Sequence, residues 1–366
     1  MRVLIAPDGF GGTLSAVQAA EAMAAGWRRT APGDEIELAP LSDGGPGFVD
    51  VLATALPAAT LQALTVQDPL GRTVPASFLL DGATAYVESA QACGLHLVVE
   101  RDPTTTTTYG VGQLVRAAVG AGAARVVVGL GGSSTNDGGA GMLAALGLTA
   151  RDSAGSQLAP GGWALREVDR LDGRAPQVEL VAATDVDAPL LGLYGASAVF
   201  GPQKGATREQ VALLDGALTR WADVLEAQLG RPVRDLPGAG AAGGLGAALF
   251  ALGATREPGI ALVQRLVGLE DRIATVDLVL TGEGCFDATS LTGKVVSGVA
   301  SIATEHAVPC VVLAGQVRIG RREAAAYGVE AEHAIADLVG LDSALARPAE
   351  GLAALAARVA RQWSRA

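Results

Sequence analysis

Five short apolar runs, each ending in glycine or acidic residues, set the pattern of this chain. They read RVLIAPDG, RVVVGLGG, ELVAATDVD, DLVLTGEG and CVVLAGQV. Continuous valine, isoleucine and leucine runs of this length are typical of parallel strands that are buried on both faces. Alanine-rich stretches of helical character lie between them, at 15–29, 110–121, 138–147, 207–229 and 291–306. The alternation predicts an α/β fold, and the glycine and acid clusters at the strand ends mark the expected active site.

The segment 60–90 departs from this pattern. Its sequence LTVQDPLGRTVPASFLLDGATAYVES predicts short strands with turns at DPLGR and LDGA. A chain of 366 residues is long enough for two domains. We interpret the segment as the entry to a second domain that is inserted into the first.

Charge and cysteine content narrow the class of protein. The net charge of −11 argues against nucleic acid and anionic membranes as partners. The apolar runs fall short of the ~18 residues of a membrane span, and the one at the N-terminus is too short for a signal peptide. Three cysteines, Cys93, Cys285 and Cys310, show no zinc-ligand spacing. We expect a reduced, cytoplasmic protein that is a monomer or a homodimer.

Lysine is almost absent from the chain. Of the 27 basic residues only Lys204, in FGPQKGAT, and Lys294, in SLTGKVVSG, are lysines, and each stands beside a glycine. Genome composition explains the scarcity, but it does not explain the exceptions. Lysine is a compact point charge where arginine is a wide fork. Both lysines are therefore predicted to contact phosphate or substrate oxygens.

The stretch GLGGSSTNDGGAGML (129–143) joins a predicted strand to a predicted helix. Glycines allow backbone N–H groups to approach an anion, and a helix N-terminus adds partial positive charge. Asp137 either holds Mg²⁺ or caps the helix, and an ordinary strand-to-helix turn is the alternative for the whole loop. Neither the P-loop nor the dinucleotide-binding glycine spacing is present. The predicted anion-binding residues are Gly131, Gly132, Ser133, Ser134, Thr135, Asn136 and Gly138.

Acidic residues follow the other predicted strands. Asp185 and Asp187, in AATDVDAPLLG, are two positions apart, so on a strand they would share a face and could bind Mg²⁺ or accept a proton. A solvated turn before Pro189 is the alternative.

The remaining strand ends carry acids in glycine-rich loops. TGEGCFDATSLTGK presents Glu283 and Asp287 ahead of Lys294, a combination that suits phosphate and metal. APDGFGGT and LSDGGPG add Asp8 and Asp43 in similar loops, although a lone D-G-G is more often a simple turn. Glycine loops, acids and two lysines together are the parts that phosphoryl transfer uses.

The order of these motifs resembles the bacterial glycerate kinases of the first type over nearly the whole chain. The resemblance is carried by APDGFGGTLSA, LSDGGPG, DPLGR, VESAQACGL, TTYGVGQL, GLGGSSTNDGGAGML, ATDVDAPL, FGPQKGA, GAAGGLG and TGEGCFD…TGK. It implies an ATP- and Mg²⁺-dependent kinase that phosphorylates D-glycerate, usually to 2-phosphoglycerate. It also implies a Rossmann-like domain from both chain ends (1–60 and 275–366), an inserted α/β domain (61–274), and an active site in the cleft between them.

The chain departs from the family's motifs at five polar positions. A Ser, a Lys, a Glu, an Arg and a Gln of the family are replaced in turn by Gly9, Gly11, Pro46, Cys285 and Thr289. All five fall in the terminal segments, while the middle-segment motifs are nearly intact. Because two lost groups are cationic, glycerate binding is expected to be weaker, or the natural substrate is another small hydroxy acid.

Residue roles follow from the motifs and the resemblance together. Two rival interpretations stay open: a catalytically silent homologue that binds a metabolite as a sensor or regulator, and a sugar or homoserine-type kinase suggested by GLGGSST. For the kinase, we predict Asp185, Asp187, Lys204 and Lys294 as catalytic, Asp8, Asp43, Glu283 and Asp287 as substrate-binding, the residues of the 131–138 stretch given above as ATP-binding, and Asp137, Asp185 and Asp187 as metal ligands.

Overall fold

The structure, a computed structural model, describes residues 1–291 and 294–364. Residues 292 and 293, within a predicted helical stretch and the TGEGCFDATSLTGK motif, lie outside the described part, as do residues 365 and 366. The chain forms two compact units. Unit 1 comprises Met1–Asp43, Asp50–Leu56 and the chain from Ile260 onward, and unit 2 comprises Gly44–Val49 and Pro57–Gly259.

Fifteen strands lie in the described residues. They are β1 (Arg2–Ile5), β2 (Glu35–Leu38), β3 (Thr60–Gln67), β4 (Thr73–Asp81), β5 (Thr84–Glu88), β6 (Arg125–Gly129), β7 (Leu148–Arg151), β8 (Arg170–Gly173), β9 (Glu179–Ala183), β10 (Thr255–Glu257), β11 (Leu278–Thr281), β12 (Cys285–Phe286), β13 (Cys310–Ala314), β14 (Gln316–Val317) and β15 (Val329–Ala334). Each of the five apolar runs forms a strand, as the sequence predicts.

The same residues form fifteen α-helices. They are α1 (Ala16–Thr30), α2 (Phe48–Ala55), α3 (Ala90–Cys93), α4 (Tyr109–Gly120), α5 (Ala140–Ala145), α6 (Ala196–Phe200), α7 (Arg208–Leu229), α8 (Ala241–Ala251), α9 (Gly259–Val267), α10 (Leu269–Ile273), α11 (Val295–Glu305), α12 (Arg321–Ala326), α13 (Ile335–Val339), α14 (Leu341–Ala346) and α15 (Pro348–Trp363). Within the described ranges, none of these helices combines the length and the apolar character needed to cross a membrane.

Unit 1 is built on a five-stranded parallel sheet with the order β15–β13–β11–β1–β2. From β1 the chain moves to β2 on one side, whereas β11, β13 and β15 follow one another on the other side. The connections therefore diverge between β1 and β11, and this is the topological switch point of a doubly wound sheet. The expected Rossmann-like, parallel-sheet architecture is confirmed.

Close helix packing covers one face of that sheet. Helices α1 and α15 pack together, and the Cα of Gly26 lies so near the Ala353 carbonyl that a Cβ there would stand 2.0 Å from its oxygen. Trp27 is fully buried in the resulting core beside Leu355 and Val359. The core fixes the position of β1 and of the loop that follows it.

Unit 2 contains a six-stranded mixed sheet with the order β10–β9–β6–β5–β4–β3. The four strands from β5 to β10 are parallel, and β3 and β4 form an antiparallel hairpin at one edge. Asp68 fixes the hairpin turn, since its carboxylate accepts hydrogen bonds from Leu70 N at 2.8 Å and Arg72 N at 2.9 Å. Because β4 runs against β5, this turn lies at the same sheet edge as the carboxyl ends of β5, β6 and β9.

Candidate active site

The switch point of unit 1 gathers charged side chains from separate loops. Asp8 follows β1, Asp43 follows β2, Glu283 follows β11, and Lys294 immediately precedes α11. Asp8, Glu283 and Lys294 influence one another electrostatically, and Asp43 acts on both acids. Ligands of doubly wound sheets bind in this crevice outside the carboxyl ends of the strands. The sequence motifs and the sheet topology therefore predict the same ligand site, at the switch point of unit 1.

The acids at this switch point are difficult to ionise together. Burial raises the pKa of Asp8 to about 7, and the carboxylates of Asp43 and Glu283 act in the same direction. The Gly9 N–H group, 2.7 Å from Asp8 Oδ1, and the Lys294 ammonium oppose the shift. Asp8 is consequently poised to hold or release a proton near neutral pH.

A cavity of about 450 Å³ opens beside this cluster. Gly9, Glu283 and Lys294 line its polar part, while Ile335 and Leu345 contribute apolar wall. Glu283 is only 8% exposed, and its Oε1 atom has no hydrogen-bond partner among the described residues. A buried acceptor without a partner is costly. This oxygen is therefore suited to accept a hydrogen bond from a ligand.

Asp287 and Lys294 are connected through Thr289. Asp287 Oδ1 accepts hydrogen bonds from the Thr289 N–H group at 2.9 Å and the Thr289 hydroxyl at 2.7 Å, and these lower the pKa of Asp287. Lys294 Nζ donates to Thr289 Oγ1 at 2.9 Å. The threonine that replaces the family's glutamine thus links an acid and the cation of the site. Gly9, Gly11 and Cys285, three of the other departures, line the cavity directly.

In unit 2, Lys204 holds the loop between β6 and α5. Its Nζ atom donates to Ser133 Oγ at 3.0 Å and to the Thr135 carbonyl oxygen at 2.7 Å. The side chain is 2% exposed. Burial lowers the pKa of Lys204 to about 8, partly offset by Cys93 and Asp137. The structure brings Lys204 to the predicted loop but turns its ammonium toward protein atoms.

The other polar side chains of this loop also point into the protein. Ser134 Oγ donates to the Cys93 carbonyl oxygen at 3.0 Å, and Asn136 Nδ2 donates to Ser197 Oγ at 3.0 Å. Gly131 and Gly132 stay accessible to solvent, whereas Ser133 to Gly139 are buried. A ligand-binding role of the loop stays a prediction, and in this conformation the backbone of the two accessible glycines is its available part.

Asp137 is fully buried and its carboxylate is occupied. Oδ2 accepts from Thr108 N at 2.8 Å, Thr108 Oγ1 at 2.9 Å, Thr107 Oγ1 at 3.3 Å and Gly141 N at 3.2 Å, and Oδ1 accepts from Gly139 N at 3.1 Å. These bonds favour the structural alternative over the metal ligand. From sequence, the threonine run PTTTTTYG (103–110) predicts a cap for the helix that follows it. Thr108 makes no side-chain cap bond to α4, and Thr107 and Thr108 bond Asp137 instead, a partnership that sequence reasoning missed.

Asp185 and Asp187 lie beyond the end of β9 rather than on it. The strand ends at Ala183, so the expected shared strand face does not apply. Asp187 is 81% exposed and forms an ion pair with Arg256 at 2.6 Å, and Asp185 is half-buried. Within the described ranges, no three His, Cys, Asp or Glu side chains are grouped closely enough to hold a metal ion. The metal role of these residues stays a prediction.

Comparisons with known proteins identify the family. The sequence profile described as Glycerate kinase family matches residues 3–364. The glycerate kinase of Bacillus subtilis is 44% identical over 90% of this chain and 89% of its own length. The glycerate 2-kinase of Escherichia coli is 41% identical over 94% of this chain and 93% of its own length.

A solved structure shows the same fold. The crystal structure of a protein assigned as glycerate kinase 2 of Salmonella typhimurium LT2 superposes with a TM-score of 0.81. The two chains are 40% identical, and the match covers 99% of this chain and 98% of that one. The predicted resemblance, the α/β fold and the enzyme class are all confirmed. The chain belongs to the glycerate kinase family and is an enzyme of the kinase, or phosphotransferase, class.

Proposed function

We propose that this enzyme transfers a phosphoryl group from ATP to D-glycerate, giving 2-phosphoglycerate, with Mg²⁺ as the accompanying ion. The named relatives support glycerate as the acceptor. The observation that carries the proposal is the cavity at the switch point of unit 1, which Gly9, Glu283 and Lys294 line and whose acids act electrostatically on the neighbouring Asp8.

Glycerate fits the chemistry of this cavity. Its hydroxyl groups are donors, and the unpartnered Glu283 Oε1 is an acceptor in need of one. Its carboxylate needs a cation, and Lys294 is the cation in the described lining of the cavity. We assign Asp8, Asp43, Glu283 and Asp287 to acceptor binding, with Asp287 acting through the Thr289 link to Lys294.

Asp8 is the residue best placed to accept the proton of the attacking hydroxyl. Phosphoryl transfer depends mainly on positioning and charge neutralisation, and a base orients the nucleophile. A general base works best with a pKa near the operating pH. Asp8, with its pKa raised to about 7, meets that condition better than Asp187, which is exposed and paired with Arg256.

We assign the nucleotide to unit 2, where the 129–143 loop offers backbone N–H groups at Gly131 and Gly132. In this assignment Lys204 is a positioning residue because the two groups that accept its hydrogen bonds, Ser133 Oγ and the Thr135 carbonyl oxygen, belong to the loop.

The predicted Mg²⁺ ligands do not fit as a set. Mg²⁺ commonly takes one or two carboxylates together with phosphate oxygens and water. The oxygens of Asp137 already accept five hydrogen bonds, and Asp187 is held by Arg256. No step of the mechanism is therefore assigned to the metal. A cytoplasmic location and a monomeric or dimeric state also stay predictions.

A coupled assay of ADP release tests the function. D-glycerate, L-glycerate, tartronate and lactate are supplied in turn with ATP, with and without Mg²⁺, and the product is identified by NMR. We expect Mg²⁺-dependent turnover with D-glycerate and phosphate on the C2 oxygen. Background rates with all four acids would refute the proposal, and a C3 product would refute its regiochemistry.

A further inference from the structure

A second cavity, in unit 2, is not used by the acceptor chemistry above. Its volume is about 490 Å³, within the range of small-molecule sites. The β3–β4 turn, the start of α4 and one side of α5 form its walls. Ala140 and Ala144 present only methyl groups to the space, and the lack of a side chain at Gly141 lets α5 approach Thr107 and Tyr109 closely. It lies at the carboxyl edge of the sheet, where α/β proteins bind ligands.

The lining of this cavity is neutral. Among the described residues that line it there is no lysine, arginine or histidine, and the one acid, Asp137, is satisfied by hydrogen bonds within the protein. Leu70, Leu158 and Leu165 provide apolar surface. The unit 1 cavity, by contrast, carries Glu283, Asp287 and Lys294. A phosphate or a carboxylate finds no cationic side chain in the described lining, whereas an uncharged group with apolar faces finds both polar and apolar partners.

Polar groups at the rim are available for an uncharged ligand. The side-chain amides of Gln67 and Gln157 and the hydroxyl of Tyr109 line the cavity and make no hydrogen bond to other described residues. An amide offers both donors and an acceptor. The donor and acceptor of each glutamine amide match the polar edge of a nucleobase, where hydrogen-bond donors and acceptors also alternate.

We propose that this cavity binds the nucleobase of the phosphate donor. Gln67 and Gln157 contact its polar edge, and the leucines contact its faces. The inference rests on the proposed function, since it assumes a nucleotide donor. The cavity also adjoins the loop to which the phosphates are assigned, because Asp137 belongs to that loop and to the lining.

Filling the cavity tests the proposal. Ala144→Phe projects a ring into the space, and Ala212→Phe, on the exposed side of α7, is the matched control. The probes are adenosine, followed by ligand-observed NMR, and ATP, followed by its KM. We expect Ala144→Phe to weaken adenosine binding and to raise the KM for ATP by at least about tenfold, with the D-glycerate KM unchanged and the control like wild type.

A rim variant keeps the test decisive if Ala144→Phe does not fold. Gln157→Ala removes an exposed side chain and should raise the ATP KM severalfold without lowering Tm. Adenosine binding unaffected by either folded variant would overturn the proposal, as would an effect on the D-glycerate KM alone.

Absence of turnover in the wild type would refute the proposed function instead, and the adenosine measurement would still decide whether the cavity binds a nucleobase. No adenosine binding to wild type would also refute the nucleobase assignment.

Discussion

Lys204 Nζ lies 2.7 Å from the carbonyl oxygen of Thr135. The lysine is buried, with 2% of its surface exposed to solvent. The lysine therefore fixes the backbone of the 129–143 loop from beneath. A substitution of Lys204 therefore alters the loop conformation directly and affects a bound ligand only through the loop. A phosphate-binding lysine, by contrast, would contact the ligand itself.

Lys204→Arg should lower both stability and activity. The guanidinium is larger than the ammonium that fills the site, and overpacking a buried position costs about 1–3 kcal/mol. We expect a lower Tm, measured by thermal denaturation, together with at least about a tenfold loss of kcat, which corresponds to ~1.4 kcal/mol. Lys294→Arg is the control, since Lys294 is only partly buried and its Tm should hold. An unchanged Tm in Lys204→Arg would argue for a direct ligand contact.

Asp8→Asn should stabilise the protein while it inactivates the enzyme. The pKa of Asp8 is raised from 3.8 to about 7, so between these values the folded state keeps a proton that the unfolded state releases. Stability therefore falls as pH rises through that window, and asparagine avoids the loss. One pKa unit is about 1.4 kcal/mol, and with partial exposure to water we expect a gain of about 2 kcal/mol at pH 8 and almost none at pH 4. Urea unfolding at both pH values measures it.

Asp43→Asn should shift the pH dependence of catalysis. Among the charged neighbours of Asp8, Asp43 contributes most to its raised pKa. Removing that charge lowers the pKa of Asp8, so the acidic limb of kcat/KM for D-glycerate should move below its wild-type position near pH 7. An acidic limb that stays in place would show that another group is the base.

The strands and the switch-point acids could be predicted from the sequence because both depend on residues that are neighbours in the chain. The apolar residues of such a run form a buried strand, and the glycine and acidic residues that follow form the loop at its carboxyl end. Asp8 and Glu283 could thus be assigned to one edge of a sheet without coordinates. The strand order then brings their loops to the switch point.

Partners distant in sequence could not be predicted in the same way. Asp137 is satisfied by Thr107 and Thr108, about thirty positions earlier, and Asp187 by Arg256, on a neighbouring strand. A donor-rich loop looks identical in sequence whether its side chains face a ligand or the protein interior. Burial decides between the two, and burial is a tertiary property.

Asp137→Asn should destabilise the protein far more than Asp187→Asn. Asp137 accepts five hydrogen bonds in a fully buried position, and an amide can no longer accept at one of the two sites. Hydrogen bonds to buried charges are worth about 1.5–3 kcal/mol each, whereas an exposed ion pair such as Asp187–Arg256 contributes about 0–1 kcal/mol. Urea unfolding with and without Mg²⁺ checks both variants. If Mg²⁺ stabilised wild type but not Asp137→Asn, the metal role of Asp137 would be restored.

Cys285→Arg should strengthen glycerate binding. Cys285 lines the unit 1 cavity and is half-buried, with its Sγ atom 4.0 Å from Asp287 Oδ2. The motif resemblance implies an arginine at this position. Glu283 and Asp287 line the cavity, and Lys294 is the one cation in its described lining, although Arg318 acts electrostatically on Cys285 from nearby. A charged hydrogen bond contributes about 1.5–3 kcal/mol, and the D-glycerate KM should therefore fall by at least about tenfold, with the ATP KM unchanged.

Cys285→Met is the control that adds volume without charge. Gly11→Lys is a poorer restoration, because the φ of +54° at Gly11 strains any residue with a Cβ. A D-glycerate KM that is equal in Cys285→Arg and Cys285→Met would show that the missing cation is not what limits binding in this enzyme.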